Sequence, residues 1–517
     1  MSKLVKQTEL ELKEKIMDAL GRAVADGVLD EAPLPAFIIE VPKERQNGDY
    51  STNVAMAGAK AFHKAPRVCL LYTSDADYGK GKRVLVEFVS ANPTGPMHIG
   101  NARGGAIGDC LAAVLDWAGY DVQREFYVND AGNQIEKFAT SLEVRYLQHY
   151  DPAVELPEDA YKGVDIVEHA ENFIKEYGDR YVNAPAEERR KALVDFSLPK
   201  NIAGLERDLG AYRIQYDRWF KESSLHEDGS VQRVIDALKE KGVTYEQDGA
   251  LWFKASEFGN DKDIVLVRAN GIPTYIVPDI AYHYNKLVTR GYDKAVDVLG
   301  ADHHGYVPRM KAALTALGLD ANRLDCVIMQ MVRLVRDGET IKLSKRSGKA
   351  ITLNTLLEEV PIDAARFFFN LREPNSHFDF DLELAASTSN ENPVYYVQYA
   401  HARICSILRK AAEEGVTLRT PTTAELEQLT APEERELIRH LAALTDDVVT
   451  AAKTYDPAKI THYVIDLATL FHKFYNAQRV MVEDEGLMQA RLYLCTAVKN
   501  TIRNVLTMLK ISVPERM

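Results

Sequence analysis

The distribution of apolar residues predicts an α/β domain that begins near residue 81. Residues 84–89 form a nearly continuous apolar run between turn-forming residues, which is typical of a strand buried on both faces of a parallel sheet. A helical pattern follows over residues 100–118, and a second strand pattern covers residues 121–128. Strand, helix and strand with short links form a βαβ unit, so the sequence predicts a Rossmann-like, doubly wound parallel sheet.

The regions that follow this unit have patterns of their own. Residues 150–260 are rich in charged residues and are interpreted as a helical insertion on the sheet. Strand patterns return at residues 295–299 and 326–335. From residue 391 to residue 517, apolar residues recur at helical spacing in three long stripes, which predicts an all-α bundle. The α/β domain is therefore assigned to residues 81–390.

A smaller unit precedes the sheet. Apolar residues between positions 12 and 24 recur every fourth residue, as on one face of a helix, and residues 36–41 have the pattern of a short strand. These patterns predict a small α+β domain over residues 1–80. The sequence at residues 67–77 fits neither a helix nor a strand.

Composition narrows the class of protein. A length of 517 residues suits about three domains at roughly 100–200 residues each. No run of about 18 apolar residues occurs, so no membrane-spanning segment is expected. The five cysteines lie far apart and form no CxxC pair, which predicts reduced thiols, a cytoplasmic location and no structural zinc site.

The charge distribution bears on possible partners. A formal net charge of −13 argues against a polyanionic partner if the chain is taken as a whole. The predicted bundle, however, contains 15 basic and 16 acidic residues, so nearly all of the excess negative charge lies before residue 391. The bundle can therefore face a nucleic acid without strong repulsion.

The first candidate motif is NPTGPMHIGN at residues 92–101, where the first strand passes into a helix. Ligands bind at the carboxyl ends of strands in such sheets, and a helix N-terminus offers N–H donors to phosphates. His98 can donate a hydrogen bond to a phosphate oxygen, and Gly100 leaves room for a flat ring such as adenine. An ordinary strand–helix turn with an incidental histidine would also account for this motif if it stood alone.

The second candidate motif is KLSKRSG at residues 342–348, a glycine-flanked loop that follows an apolar strand pattern. Lysines on such a loop suit a polyphosphate whose charge increases in the transition state. By itself, the run is equally typical of a solvated loop. No GxxxxGK[ST] motif occurs, which excludes a P-loop enzyme.

Together, the two motifs resemble the His-Ile-Gly-His and Lys-Met-Ser-Lys-Ser signatures of class I aminoacyl-tRNA synthetases. The surrounding blocks resemble arginyl-tRNA synthetases in particular. They include VEFVSANPTGPMHIGNARGGAIGD, FYVNDAGNQI, GIPTYIVPDIAYHYNK and VLGADHHGYVPRMKAAL. Such blocks continue in the family's order from about residue 83 to the end of the chain.

The resemblance implies that arginine reacts with Mg²⁺-bound ATP to form arginyl-adenylate and pyrophosphate, and that the arginyl group then passes to the terminal ribose of tRNA(Arg). It implies catalytic roles for His98, Asn101, Lys342, Ser344 and Lys345. The implied ATP-binding residues are Pro93, Thr94, Gly95, Met97, His98, Gly100, Asn101 and Lys345. Mg²⁺ is expected to arrive with ATP, without a metal site of its own on the protein.

Recognition of arginine can also be argued from its chemistry. A guanidinium is a permanent cation with five donors, so its pocket needs carboxylates and other acceptors. The resemblance assigns this pocket to Glu87, Ser90, Asn92, Tyr275, Asp279 and His303. Glu87 interrupts an apolar strand, and the alternative is that it faces solvent at a strand edge.

For tRNA, the resemblance implies an anticodon-binding bundle at residues 391–517 and an N-terminal domain that contacts the tRNA body. Unstacked bases favour aromatic rings and arginine planes. The expected contact residues are Tyr395, Tyr399, Arg403 and Met517. Alternatively, tyrosines at helical spacing form the bundle core. The protein is expected to act as a monomer, away from any membrane.

Two departures from the family pattern leave alternatives open. Asn101 replaces the last histidine of the first signature and cannot become cationic. At residues 67–77 the family resemblance fails, and several tens of residues are missing, so the N-terminal domain is expected to be truncated. One alternative is a synthetase-like RNA-binding protein without aminoacylation activity. Another is a class I synthetase for a different amino acid, which the acidic residues Glu87 and Asp279 disfavour.

Overall fold

The computed structural model describes residues 9–17, 39–40, 51–52, 78–341 and 351–517. Its centre is a five-stranded sheet. The strands, in chain order, are β1 Arg83–Glu87, β2 Asp121–Val128, β3 Arg218–Lys221, β4 Lys294–Gly300 and β5 Leu324–Met329. Across the sheet they follow the order β5-β4-β1-β2-β3, and every pair is parallel. This is a Rossmann-type strand order, so the predicted fold class is confirmed.

Helix α1, Ile99–Trp117, connects β1 to β2 and is buried along most of its length. Its glycines allow a close approach to the sheet. A Cβ at Gly108 would lie 2.2 Å from Cγ of Phe88, just beyond β1, whereas a Cβ at Gly100 would meet no atom within 4 Å. The glycine at position 108 is therefore a packing requirement, and the one at position 100 is not.

The segment interpreted as a helical insertion, residues 150–260, is only partly helical. It follows α2 Asn133–Gln148 and begins with the helices α3 Val164–Tyr177 and α4 Ala186–Ala211. The chain then forms β3, which joins the central sheet, and a three-stranded antiparallel sheet of Thr244–Gln247, Ala250–Phe253 and Ile264–Val267. These strands have only four residues each, too few for a clear alternating pattern amid charged sequence.

Four further helices lie between β3 and β5 along the chain. They are α5 Ser223–Glu227, α6 Ser230–Glu240, α7 Ile276–Tyr284 and α8 Tyr306–Ala316. Helix α7 continues directly into a π-helical turn, Asn285–Thr289. Such turns shift the side chains that follow them and are frequent at functional sites.

The strand predicted at residues 326–335 proved to be two strands in different sheets. After β5, the chain leaves the central sheet at Gln330, whose N–H donates to Pro374 O (2.9 Å) and whose carbonyl accepts from Arg103 Nη1 (2.6 Å). Val332–Arg336 then pairs with Phe378–Asp381 in a small sheet. A continuous apolar run cannot reveal such a break, because both strands are apolar.

The C-terminal part of the chain is helical, as predicted. Helices α9 Leu353–Glu359, α10 Ile362–Phe369 and α11 Leu382–Ala386 lead into it. The bundle consists of α12 Pro393–Glu413, α13 Thr423–Leu426, α14 Pro432–Thr454, α15 Ala458–Ala477 and α16 Glu485–Met508. Among the described residues, no helix has both the length and the apolar character that a membrane span requires.

A buried ion pair joins the bundle to α1. The Arg366 guanidinium on α10 is fully buried and donates from Nη2 to Asp109 Oδ2 on α1 (2.5 Å). The same guanidinium donates from Nε to Leu509 O (3.0 Å) and from Nη1 to Tyr212 O (3.0 Å). Through these bonds, Arg366 connects α1, the end of α16 and the residue that follows α4.

Of the N-terminal domain, the structure describes a helix over residues 9–17 and the antiparallel strands Ile39–Glu40 and Ser51–Thr52. The interruption predicted at residues 67–77 lies outside the described residues. Cys110, Cys326, Cys405 and Cys495 are free thiols.

We expect Gly108→Ala to lower the free energy of unfolding by about 1–3 kcal/mol, because the added methyl group would overlap the Phe88 ring. Urea denaturation measures this change. Gly100→Ala on the same helix is the matched control and should be neutral or stabilising, since alanine favours a helix by about 1 kcal/mol over glycine. Equal stability of the two variants would contradict the assigned packing.

Candidate active site

A cavity of about 2380 Å³ lies where all five strands of the central sheet end. Each strand contributes the residues that follow it. These include Ser90 and Asn92 after β1, Asn129 and Asn133 after β2, Glu222 at the end of β3, His303 after β4, and Gln330 and Met331 after β5. Ligands bind at this edge in open α/β sheets. Within the described part of the chain, no group of three or more histidine, cysteine or acidic residues is arranged to hold a metal ion.

The N-terminus of α1 opens into this cavity. His98 is its N-cap and is exposed, and the backbone N–H of His98 donates to Asn101 Oδ1 (3.0 Å). Asn101 therefore closes the first turn of the helix as one half of a capping box. An amide can fill this position with its oxygen, which explains how the replacement of a histidine leaves the helix start intact. Thr94, Gly95 and Gly100 also line the cavity.

Pro93 and Met97 do not line it. Both side chains are buried, and their carbonyls anchor the loop: Pro93 O accepts from Asn201 Nδ2 (2.9 Å) and Met97 O accepts from Leu353 N (3.0 Å). Any part that Pro93 and Met97 play in ATP binding, as predicted, would therefore be indirect. They fix the loop that presents Thr94 and His98.

Lys342, Ser344 and Lys345 lie outside the described residues. The chain is described again from Ile351, whose carbonyl accepts from Ile99 N (3.3 Å), and Thr352 pairs with His98 in an isolated β-bridge. Residues 351 and 352 thus lie beside the first turn of α1.

Two carboxylates lie side by side in the floor of the cavity. Glu87 at the end of β1 is the register partner of Asp297 on β4, and both are almost fully buried. Lys286, which is also fully buried, donates to Glu87 Oε2 and to Asp297 Oδ1 (2.8 Å). These contacts exclude the alternative that Glu87 faces solvent. The two buried carboxylates hold the pKa of Lys286 above its usual range despite its burial.

His283 on α7 completes this network. Its Nε2 lies 2.7 Å from Asp297 Oδ2 and its Nδ1 lies 2.8 Å from Asp279 O. Both of these neighbours are hydrogen-bond acceptors. Although burial opposes it, the neighbouring Lys286 and His283 hold the pKa of Asp297 well below its usual range.

Asp279 and Tyr275 belong to the start of α7 and line the cavity. Burial, with Glu222 and Glu87 nearby, raises the pKa of Asp279 to about 7, although His283 opposes this shift. Tyr275 is 67% exposed, and its hydroxyl accepts from Arg309 Nη1 (3.1 Å). Asp279 is therefore the inner acidic group and Tyr275 stands at the rim.

The turn after β1 is conformationally strained. Val89 and Ser90 have φ angles of +70° and +40°, which are rare for residues with a side chain and clear outliers for a β-branched one. Ser90 Oγ donates to Glu87 Oε1 (2.8 Å) and accepts from Tyr127 N (3.1 Å). These bonds hold the turn at the centre of the cavity, between β1 and β2.

Glu222 is a candidate residue that the sequence did not reveal. It follows β3, is mostly buried and lines the cavity, and burial raises its pKa. His226 Nε2 lies 3.7 Å from Glu222 Oε1. When the Asn129 amide is oriented to donate, its nitrogen lies 3.2 Å from Glu222 Oε2. The available signal was its place two residues after the aromatic pair Trp219-Phe220, at the end of a short strand. This signal was overlooked because β3 was taken for part of a helical segment.

Residues in the NDAG segment have divided roles. Gly132 and Asn133 line the cavity, where Gly132 takes a φ of +74° before α2. Asp130 turns away and accepts from the backbone and the hydroxyl of Ser223 (2.8 and 2.9 Å). It ties the ends of β2 and β3 together.

On the bundle, three of the predicted tRNA contacts form a ladder on one face of α12. The rings of Tyr395 and Tyr399 are stacked with centroids 6.4 Å apart, and Arg403 Nη2 donates to Tyr399 Oη (2.6 Å). All three are partly exposed, as is Tyr396, which packs against the main core beside His472. The alternative of tyrosines in the bundle core thus applies only in part, to Tyr396.

Met517 is half exposed but is not part of this ladder. The segment before it is held by His401, whose Nδ1 lies 2.9 Å from Pro514 O, and by Arg409, which donates to Glu515 O (3.2 Å). Helical spacing places His401 on a side of α12 far from Arg403. The structure therefore does not bring Met517 together with the ladder.

Comparisons with known proteins agree with this geometry. The sequence matches the family models described as tRNA synthetases class I (R), catalytic domain, at residues 70–403, as DALR anticodon binding domain at residues 397–517, and as arginyl tRNA synthetase N terminal domain at residues 10–69. The arginine–tRNA ligase of Caldanaerobacter subterraneus is 50% identical over 562 aligned positions, which cover all of both chains.

A second relative, the arginine–tRNA ligase of Acetivibrio thermocellus, is 48% identical with the same coverage. Among solved structures, the arginyl-tRNA synthetase of Thermus thermophilus superposes with a TM-score of 0.73 over 98% of this chain and all of that one, at 23% identity. This likeness supports the fold.

We expect Lys286→Met to destabilise the protein by about 3–5 kcal/mol, because Glu87 and Asp297 would be left buried without their shared cation. Chemical denaturation measures the loss. Lys294→Met, which removes a partly exposed pairing with Asp325, should cost less than about 1 kcal/mol. If the two variants proved equally stable, the buried network would not hold the floor of the cavity together.

Proposed function

Because this chain belongs to the family of arginyl-tRNA synthetases, we propose that it joins L-arginine to tRNA(Arg) at the expense of ATP. The observation that carries this proposal is the cavity itself. It combines an open helix N-terminus with a wall of carboxylates. The first suits the phosphates of ATP and the second suits a cationic amino acid.

Glu222 and Asp279 are the residues that we assign to the guanidinium of arginine. Both are partly or mostly buried acidic groups of the cavity, and burial raises the pKa of each. A guanidinium between them would pair with both carboxylates. Glu87 is already neutralised by Lys286 and also receives a hydrogen bond from Ser90, so we assign it to positioning of the pocket and to neutral donors of the substrate.

His98, Gly100 and Asn101 are assigned to ATP. The space beside the Gly100 backbone is open, which is what an adenine ring lying against it requires. The exposed His98 ring stands at the N-terminus of α1, where a ring N–H and the positive end of the helix dipole favour phosphates. Mg²⁺ enters as part of the substrate, and Lys342, Ser344 and Lys345 are proposed to act on the phosphates as charges rise there.

No protein nucleophile is needed for either step. The arginine carboxylate attacks the α-phosphorus of ATP, a P–O bond forms there, and pyrophosphate leaves. The terminal ribose hydroxyl of the tRNA then attacks the activated carbonyl and AMP leaves. Positioning and charge stabilisation supply the catalysis.

The roles of the other units belong to this proposal. Residues 391–517 are proposed to bind the anticodon with Tyr395, Tyr399 and Arg403, which stand together on one exposed face. Residues 1–80 are proposed to contact the tRNA body. The alignment with the Caldanaerobacter relative extends over 562 positions, whereas this chain has 517 residues, and a shortened domain would produce such a difference. A cytoplasmic monomer is the expected form.

The alternative of an RNA-binding protein without aminoacylation activity is not favoured. It was suggested by Asn101, but that residue retains a defined role at the start of α1. A class I synthetase for an apolar amino acid is disfavoured by the carboxylates at positions 222 and 279.

We expect the protein to catalyse arginine-dependent exchange of pyrophosphate with ATP, measured with and without tRNA(Arg). Asp279→Asn should lower kcat/KM for arginine by tenfold or more, since a charge-assisted hydrogen bond contributes about 1.5–3 kcal/mol. Asp302→Asn removes an exposed carboxylate of the same cavity and should have little effect. A folded sample without exchange under either condition would refute the proposed function.

The affinity for arginine should depend on pH. A carboxyl whose pKa is about 7 is largely protonated at pH 6 and ionised at pH 8, and only the ionised form attracts a guanidinium. Arginine should therefore bind more tightly as the pH rises through 7. Below pH 7, its binding should release a proton from Asp279. Titration calorimetry in buffers of different ionisation enthalpy measures both effects. Asp279→Asn should flatten the dependence, whereas Asp302→Asn should keep it; a pH-independent wild-type affinity would contradict the assignment.

A further inference from the structure

The described lining of the cavity is strongly acidic. It carries seven carboxylates: Glu87, Asp165, Glu168, Glu222, Glu227, Asp279 and Asp302. Among the same described lining residues, Arg268 is the one arginine or lysine side chain. An acidic cavity attracts arginine but repels the phosphates of a nucleic acid, which must nevertheless bring its terminal ribose inside.

Arg268 stands on a well-defined loop at the mouth of the cavity. The loop follows the strand Ile264–Val267 and returns through Gly271, whose φ is +79°. Arg268 N donates to Ile272 O (3.0 Å), Gly271 N donates to Arg268 O (2.8 Å), and Thr274 N donates to Leu266 O (2.7 Å). The backbone bonds of this turn hold residues 268–273 in place without using the Arg268 side chain.

The Arg268 guanidinium makes no hydrogen bond or ion pair with any residue in the described parts of the chain, although it shares the cavity with seven carboxylates. The side chain is exposed at the mouth of the cavity, so its five donors are accessible to a ligand that enters from solution. An arginine held at this position by its loop, and not by an internal carboxylate, retains its donors for a ligand.

The neighbours of Arg268 indicate which kind of anion it meets. Ile272 and Tyr275, on the same loop and directly after it, are 54% and 67% exposed at the rim. A second guanidinium, that of Arg309, reaches the same rim through its bond to Tyr275 Oη. Exposed apolar and aromatic groups beside arginines are typical of sites for single-stranded nucleic acid, in which bases stack and phosphates are held by charge.

We infer that Arg268 binds a backbone phosphate of the single-stranded 3′ end of tRNA, and that the loop of residues 268–273 guides this end into the acidic cavity. The inference rests on the proposed function, because it takes tRNA as the second substrate. Arg268 offsets the repulsion between the entering phosphates and the carboxylates behind it. It is a binding residue for the tRNA end and takes no part in the recognition of arginine.

The experiment compares two RNA ligands. One is an intact tRNA(Arg) transcript, and the other is the same transcript without its four 3′-terminal nucleotides. Their dissociation constants are measured by filter binding for the wild-type full chain and for Arg268→Ala. The intact transcript should bind the variant about tenfold more weakly, as expected for one charge-assisted contact, and the shortened transcript should bind both proteins equally.

Salt dependence provides a second readout. Loss of one phosphate contact to a single strand should reduce the slope of log K against log salt by about 0.7 for the intact transcript. Arg268→Lys keeps the charge without the planar fork and should retain the wild-type slope with weaker binding. Arg207→Ala, an exposed arginine on α4 outside the cavity, controls for the loss of one positive charge and should not change the difference between the two transcripts.

Equal binding of the intact transcript by the wild type and by Arg268→Ala would overturn the inference, as would an equal loss for both transcripts. So would a loss of affinity for arginine or ATP without any change for tRNA, since Arg268 would then serve a small substrate. None of these results bears on whether the wild-type protein aminoacylates tRNA, so failure of the inference and failure of the proposed function are distinguishable.

Discussion

The arrangement of the cavity depends on one electrostatic constraint, the burial of two carboxylates in register on adjacent strands. Glu87 and Asp297 could not both remain ionised in this position without a cation between them, because desolvation and mutual repulsion would each oppose it. Lys286 supplies that cation from the π-helical turn that follows α7. The helix that carries Asp279 is thereby fixed over the sheet by charge as well as by packing.

The same physical logic connects the cavity to the bundle. Helix α1 begins at the cavity with His98, and its Asp109 receives the buried Arg366 guanidinium from α10. That guanidinium also holds the end of α16 through Leu509 O. A single helix therefore carries one wall of the cavity at its N-terminus and the attachment of the bundle farther along. Buried charges that lack such partners are costly, so both networks restrict the geometry more than they add to stability.

The sequence was informative wherever a signal was local and periodic. The runs that formed β1, β2 and α1 were predicted to within a few residues, and the NPTGPMHIGN motif identified the centre of the site. The pairing of Lys286 with Glu87 and of Arg366 with Asp109 joins residues about 200 or more positions apart, and no periodicity encodes such contacts. Glu222 was missed because β3 is too short to show an alternating pattern. The side chains of Pro93 and Met97 are buried behind the cavity wall, which could not be foreseen because membership of a motif does not reveal which way a side chain points.

The largest hydrophobic core also crosses the boundary that the sequence suggested at residues 390 and 391. Leu111 and Val114 of α1 belong to the same continuous cluster as Leu441, Phe471 and Val498 of the bundle. A second cluster lies under α6, α7 and α8, and a third lies between α2, α3 and α4. Regions that share a hydrophobic core unfold together. Hydrogen exchange should therefore show α1 and the bundle as one cooperative unit and the insertion helices as another, and these units differ from the domains that the sequence suggested.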